Sequence, residues 1–191
     1  LTLCYAGVAF SILLFFGRLE FFASICLFIL YLSLFYAGQI FLRFQWDTLL
    51  LEAGFLTILL VRGYHGIVIF LFHWLLFRLR FLSGVSKLED PSWISLGSLN
   101  YYFETQPMRH IRSWYADQLP EWMHRADMAT VLFAELIVPF FIFLPRKFRL
   151  FAAATTIIMQ LIIIATSNHN WINLLTIVLC LFLLDDNILR K

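Results

Sequence analysis

Charge is scarce in this chain. Asp, Glu, Lys and Arg together make up 14% of its 191 residues while 62% are hydrophobic, well above the ~45–50% apolar content of ordinary soluble domains. A soluble globular domain is excluded. The formal net charge is only +2, and no basic run interleaves with aromatics, so nucleic acid is not expected as a partner. Cysteine is also rare: Cys4, Cys26 and Cys180 all fall inside apolar runs, with no CxxC and no histidine at ligand spacing. They read as packing residues, and no metal site is expected. Absent too are a nucleophile elbow, an HExxH pair, a phosphate loop and a dinucleotide fingerprint, so no cofactor is expected.

What is present is hydrocarbon. Seven hydrophobic segments stand out, roughly 1–16, 21–42, 48–61, 64–85, 128–144, 150–166 and 171–184, several of them near the ~20 residues that cross a ~30 Å hydrocarbon core. Stretches such as LFILYLSLFYAG are apolar all round, whereas a membrane barrel alternates apolar and polar residues. The expected fold is therefore all-α, a polytopic transmembrane bundle of about seven segments, with 1–191 forming a single membrane domain. Leu1-Thr2-Leu3-Cys4 is no signal peptide and the end at Arg190-Lys191 is abrupt, so the chain is expected to be a piece of a longer one.

Residues 86–127 break the pattern. They hold ten charged residues of both signs, Pro91, Pro107 and Pro120, and the aromatics Trp93, Tyr101, Tyr102, Phe103, Trp114, Tyr115 and Trp122. Aromatic content of that kind suits an interfacial layer, so an extramembrane cap of short helices is expected. Alternating the loops puts Arg18, Arg62, Arg146, Lys147, Arg149, Arg190 and Lys191 on one side, against Arg43 in the short loops of the other. By the positive-inside rule the first side is cytoplasmic and the cap faces the lumen or exterior.

Ionisable groups inside spanning segments are costly, and here they share a depth. Glu52, Arg78, Arg80, Glu135, Gln160 and Asn173 lie on five segments within one outer layer. They form either a structural network, with Glu52 and Glu135 neutralising the arginines, or the lining of a ligand pocket. His73, Phe77, Arg80, Gly84 and Lys87 align on one helical face while Arg78 points nearly opposite. Either the helix meets polar partners on two sides, or Arg80 snorkels outward while Arg78 stays internal. Gly84 is read as permitting close helix approach, and His73 as a hydrogen-bonded packing residue.

Several strings then carry a resemblance. Phe44-Gln45-Trp46-Asp47 with Leu49-Leu50-Leu51-Glu52-Ala53-Gly54-Phe55, Leu76-Phe77-Arg78-Leu79, Ser83-Gly84-Val85-Ser86-Lys87, Tyr102-Phe103-Glu104-Thr105-Gln106-Pro107, Ser113-Trp114-Tyr115, Glu135-Leu136-Ile137-Val138-Pro139 and Asn173-Leu174-Leu175-Thr176 together resemble the lipase maturation factor family. Arg80 departs from that pattern, which has methionine there. The resemblance implies a multi-pass membrane chaperone that helps secreted lipases fold and assemble on the lumenal side. Its partners would be a lipase client and membrane lipid. Its place would be the endoplasmic reticulum membrane in a eukaryote or the cytoplasmic membrane in a bacterium. Under this reading Lys87, Glu104, Gln106, Trp114, Tyr115 and Trp122 form a client or pocket surface. Separately, Gly84–Trp93 is similar to a segment of the vitamin K-dependent γ-carboxylase membrane domain. That similarity implies an alternative: a membrane enzyme acting on a quinone, lipid or peptide, with Lys87 as base.

Overall fold

The computed structural model describes residues 1–105, 111–167 and 171–184, apart from the side chains of Asn100 and Glu104. All seven hydrophobic segments are helical. They correspond to α1 (Thr2–Phe15), α2 (Glu20–Gly38, followed by a 3₁₀ turn at Gln39–Phe41), α3 (Gln45–Val61), α4 (His65–Leu88), and, after the cap, α8 (Glu121–Leu136, continued by a 3₁₀ segment at Val138–Phe143), α9 (Arg146–Thr166) and α10 (Ile172–Leu181). Among the described residues four helical stretches are long and apolar enough to cross a membrane, Glu20–Phe41, His65–Leu88, Glu121–Phe143 and Arg146–Thr166, with the shorter apolar helices α1 and α10 beside them. The protein is an all-α integral membrane protein.

Region 86–127 is helical for much of its length, with α5 (Pro91–Ile94), α6 (Ser98–Thr105) and α7 (Ile111–Asp117) between the long helices. Asp90 caps α5 by accepting from the Ser92 N–H at 2.9 Å, and Pro91 occupies the first turn, where a missing N–H costs nothing. That bond holds the exposed Asp90 carboxyl below its ordinary range. Helix α6 packs on α7 and α8, and α7 on α9, with Phe103 buried beside the His124 ring of α8. The fifth segment begins earlier than its hydropathy suggests, because Glu121–Asp127 extends α8 as a polar first two turns.

The chain folds as two compact units, Leu1–Phe72 and His73–Lys191. In the first, α2 packs between α1 and α3. The turns that reverse the chain are set by glycine. Gly17 (φ +64°) and Gly63 (φ +100°) take the left-handed conformation after α1 and α3, and the following amides bond back five residues, Arg18 to Leu13 and Tyr64 to Leu59. Only glycine adopts that conformation without a Cβ penalty. Ala23, Leu49, Ala53 and Leu56 are buried in this unit, and Phe28 meets Phe55. Asp47 is buried at the start of α3. It accepts from the Tyr31 hydroxyl at 2.5 Å and from the Phe44 N–H at 3.4 Å.

In the second unit α9 pairs with α10, and the 3₁₀ segment lies on α9. Phe77 and Phe81 of α4 stack on each other and meet Phe140 edge-on. His73 donates to the Phe182 carbonyl at 2.8 Å, as a hydrogen-bonded histidine. Tyr31→Phe should lower stability by about 1–3 kcal/mol, because it strips the buried Asp47 of its shortest hydrogen bond. Thermal unfolding of the detergent-purified variant checks this, and an unchanged midpoint would show that water satisfies Asp47.

Candidate functional site

A proline places the central carboxylate. The α-helical ladder of α8 ends with Ile137 N–H bonding to Phe133 C=O. Pro139 follows, without the N–H that would reach the Glu135 carbonyl four residues back, and its ring crowds that carbonyl. The chain goes on as the tighter 3₁₀ segment, and Glu135 stands in the last turn before the break. Opposite it lies Gly84. A Cβ there would fall 2.8 Å from Leu136 Cδ2 and 3.0 Å from Glu135 Cβ, so glycine is what lets the end of α8 seat against α4.

Arg80, Ser83 and Lys87 stand on one face of α4, and Glu135 gathers them. Its Oε2 is 2.6 Å from Lys87 Nζ, and its Oε1 is 3.4 Å from Arg80 Nη1 and 3.3 Å from the donating Ser83 hydroxyl. Lys87 also donates to Ser83 Oγ at 2.9 Å and lies over the Trp93 ring at 5.3 Å. Arg80 donates through Nη2 to the Met159 sulfur. Arg80 and Glu135 are 5% and 3% exposed. Neither side chain reaches bulk solvent, so the attraction is little screened and each ion depends on the other.

The cluster is rich in donors. Two cations share one carboxylate, and Arg80 Nε and Asn173 Nδ2 are buried with no hydrogen-bond partner among the described residues. The ammonium of Lys87 points its protons at a carboxylate and a hydroxyl. That is the geometry of an ion pair, not of a lysine poised to accept a proton. Among the described residues no group of three His, Cys, Asp or Glu is placed to hold a metal ion.

The sequence leaves open whether both arginines meet internal partners or Arg80 reaches outward while Arg78 stays internal. The structure buries Arg80 and gives it Glu135, while Arg78 is half-buried on the other side of α4. Gln160 and Asn173 are buried on α9 and α10, and Glu52 is half-buried on α3 within the first unit. Lys87, read as pocket floor, is the nearest cation to Glu135. Ser83 and Met159 join the site without having stood out in the sequence. The i, i+3, i+7 spacing of Arg80, Ser83 and Lys87 is the signal for the former, and nothing in the sequence signals the latter. Trp114, Tyr115 and Trp122 are exposed on α7 and α8, the first two in edge contact at 5.0 Å. Gln106, Asn168–Asn170, Asp185-Asp186 and the Glu104 side chain lie outside the described residues.

Apolar helices of spanning length, a buried ion-pair cluster in the second unit and a stretch of short, aromatic-rich helices define the chain as a polytopic membrane domain. Its whole length, residues 1–191, matches the family described as lipase maturation factor transmembrane domain, and the chain belongs to the lipase maturation factor family. It is 42% identical over 201 residues to lipase maturation factor 2 of Xenopus laevis, covering 96% of this chain and 28% of the relative. The human lipase maturation factor 2 is 40% identical over 178 residues, with 82% and 25% covered. Lipase maturation factor 1 of Mus musculus is 37% identical over 169 residues, with 82% and 29% covered. The chain thus spans less than a third of the length of these relatives. No solved structure matches it.

Glu135→Ala should cost ~3–5 kcal/mol, since it strands the buried Arg80 and leaves the partly buried Lys87 without its carboxylate; a loss under about 1 kcal/mol in detergent unfolding would mean that water or lipid headgroups reach Arg80. Gly84→Ala should lower stability by about 1–3 kcal/mol through overpacking against Leu136. In that variant cysteine cross-linking between α4 and the end of α8 should become less efficient.

Proposed function

We propose that this chain is the membrane domain of a maturation factor that assists the folding and assembly of secreted lipases from the extracytoplasmic side of its membrane. In a eukaryotic cell that membrane is the endoplasmic reticulum. The observation that carries the reading is the family match over the full chain together with relatives named lipase maturation factor 2 and 1. The exposed aromatics of the cap support it. Trp114, Tyr115, Trp122 and Tyr101 present broad amphipathic rings on helices held by the long helices beneath, which is contact area of the kind a partly folded client offers apolar surface to. In this reading region 86–127 is a lumenal cap, and the Arg80–Glu135–Lys87 cluster is the structural clamp beneath it.

The test is maturation in cells that lack the gene. Restored full-length protein should return secreted-lipase specific activity without changing lipase transcript. Trp114→Ala with Tyr115→Ala should reduce that activity several-fold at normal protein level, because exposed rings contribute contact area and not fold. Lys87→Arg keeps the charge toward Glu135 and should retain most of the activity. Full lipase activity in the gene-deleted cells, or in the aromatic double variant, would contradict the proposal.

A further inference from the structure

The first unit contains a cavity of about 320 Å³ between α1, α2 and α3. It extends from Leu3 to Leu14 on α1, from Ser24 to Leu34 on α2, and from Leu50 to Thr57 on α3. At ~1.5 Å per residue it follows the helices for roughly 15 Å. At ~30 Å³ each it has room for about ten waters, yet its walls offer water almost nothing. Ser24 donates to its own helix at Glu20 C=O, 2.7 Å, and Thr57 to Ala53 C=O, 2.8 Å. The Tyr31 hydroxyl is committed to Asp47. The Cys4 thiol is a weak donor. An apolar, half-open groove of this sort favours an apolar guest over water.

Two glycines keep the space open. A Cβ on Gly7 would meet nothing within 4 Å, and one on Gly54 only Phe28 Cδ2 at 3.8 Å. Sterics do not require glycine at either position, although glycine is disfavoured inside a helix. One end of the cavity leads toward two arginines, with the exposed Glu20 beside the turn that carries one of them. Leu14 and Thr57 lead within a few residues to Arg18 and Arg62, both exposed, and Arg62 lies over the Phe21 ring at 5.0 Å, which holds it at the α1–α2 turn. An apolar groove along three helices, leading within a few residues to two exposed guanidiniums, matches a phosphate headgroup attached to a hydrocarbon tail.

We propose that α1, α2 and α3 bind one membrane phospholipid, its acyl chain in the cavity and its phosphate at Arg18 and Arg62. The site stands apart from the lipase-maturation reading, and does not depend on it.

The probe is a phosphatidylcholine bearing a diazirine midway along one acyl chain, photolysed with the full-length protein in lipid nanodiscs and read by peptide mass spectrometry. Label should concentrate on peptides covering 3–14, 24–34 and 50–57. Gly54→Leu and Gly7→Leu, on different helices, should each cut it by roughly tenfold, the equivalent of ~1.4 kcal/mol, at a wild-type thermal midpoint. Since a bulky substitution between helices can block folding, Arg18→Gln with Arg62→Gln, both exposed, serves as a third variant and should lower labelling while leaving the midpoint unchanged. Label spread evenly over lipid-facing residues and insensitive to all three variants would mean annular lipid only, and would overturn the proposal. So would absent label in the folded wild type, the result expected if another segment of the full-length chain fills the cavity.

Discussion

A carboxylate excluded from water has to be matched where it stands, and Glu135 is matched by Arg80, Lys87 and Ser83. The second unit is arranged around that requirement. Pro139 ends the α-helix where the carboxylate must sit, Gly84 removes the methyl that would keep it away, and α4 lines its two cations and a hydroxyl along one face. Taking ions out of water costs several kcal/mol apiece, and pairing returns that only when geometry is good. Such a cluster therefore fixes the position of α8 against α4 more than it adds net stability. A one-residue slip of either helix would strand three charges.

The first unit solves its polar problem differently. Hydroxyls of Ser24, Ser33 and Thr57 each bond to a carbonyl four residues earlier on their own helix, and the Tyr31–Asp47 pair closes on itself. The three hydroxyls make no demand on neighbouring helices, and the tyrosine–aspartate bond ties α2 to the start of α3. What remains toward the interior is hydrocarbon and the space two glycines leave. Specificity in the second unit rests on paired charge, and in the first on shape.

Much of the fold could be read from residues. The all-round apolar segments announced helices, and the aromatic-rich stretch 86–127 announced short ones. The polar residues of the long helices could be listed from the sequence, but the pairing of Arg80 with Glu135 could not be singled out. Periodicity gives the face a residue occupies and says nothing of how the neighbouring helix is rotated, so Arg78 and Arg80, nearly opposite on α4, were indistinguishable as partners for Glu135. Counting from position 128 also left out the first two turns of α8, which begins at Glu121. Met159 as an acceptor for Arg80 was invisible, since a thioether among apolar residues reads as packing.

The clamp is the central claim, and coupling between its members tests it most directly. A double-mutant cycle of Arg80→Met and Glu135→Gln, measured by reversible unfolding of the purified protein in detergent, isolates their interaction from what each removes alone. The expected result is strong non-additivity, the double variant being more stable than the sum of the single losses implies by about 1–3 kcal/mol. Losses that simply add, within about 0.3–0.5 kcal/mol, would show that Glu135 does not hold Arg80 and would contradict the account.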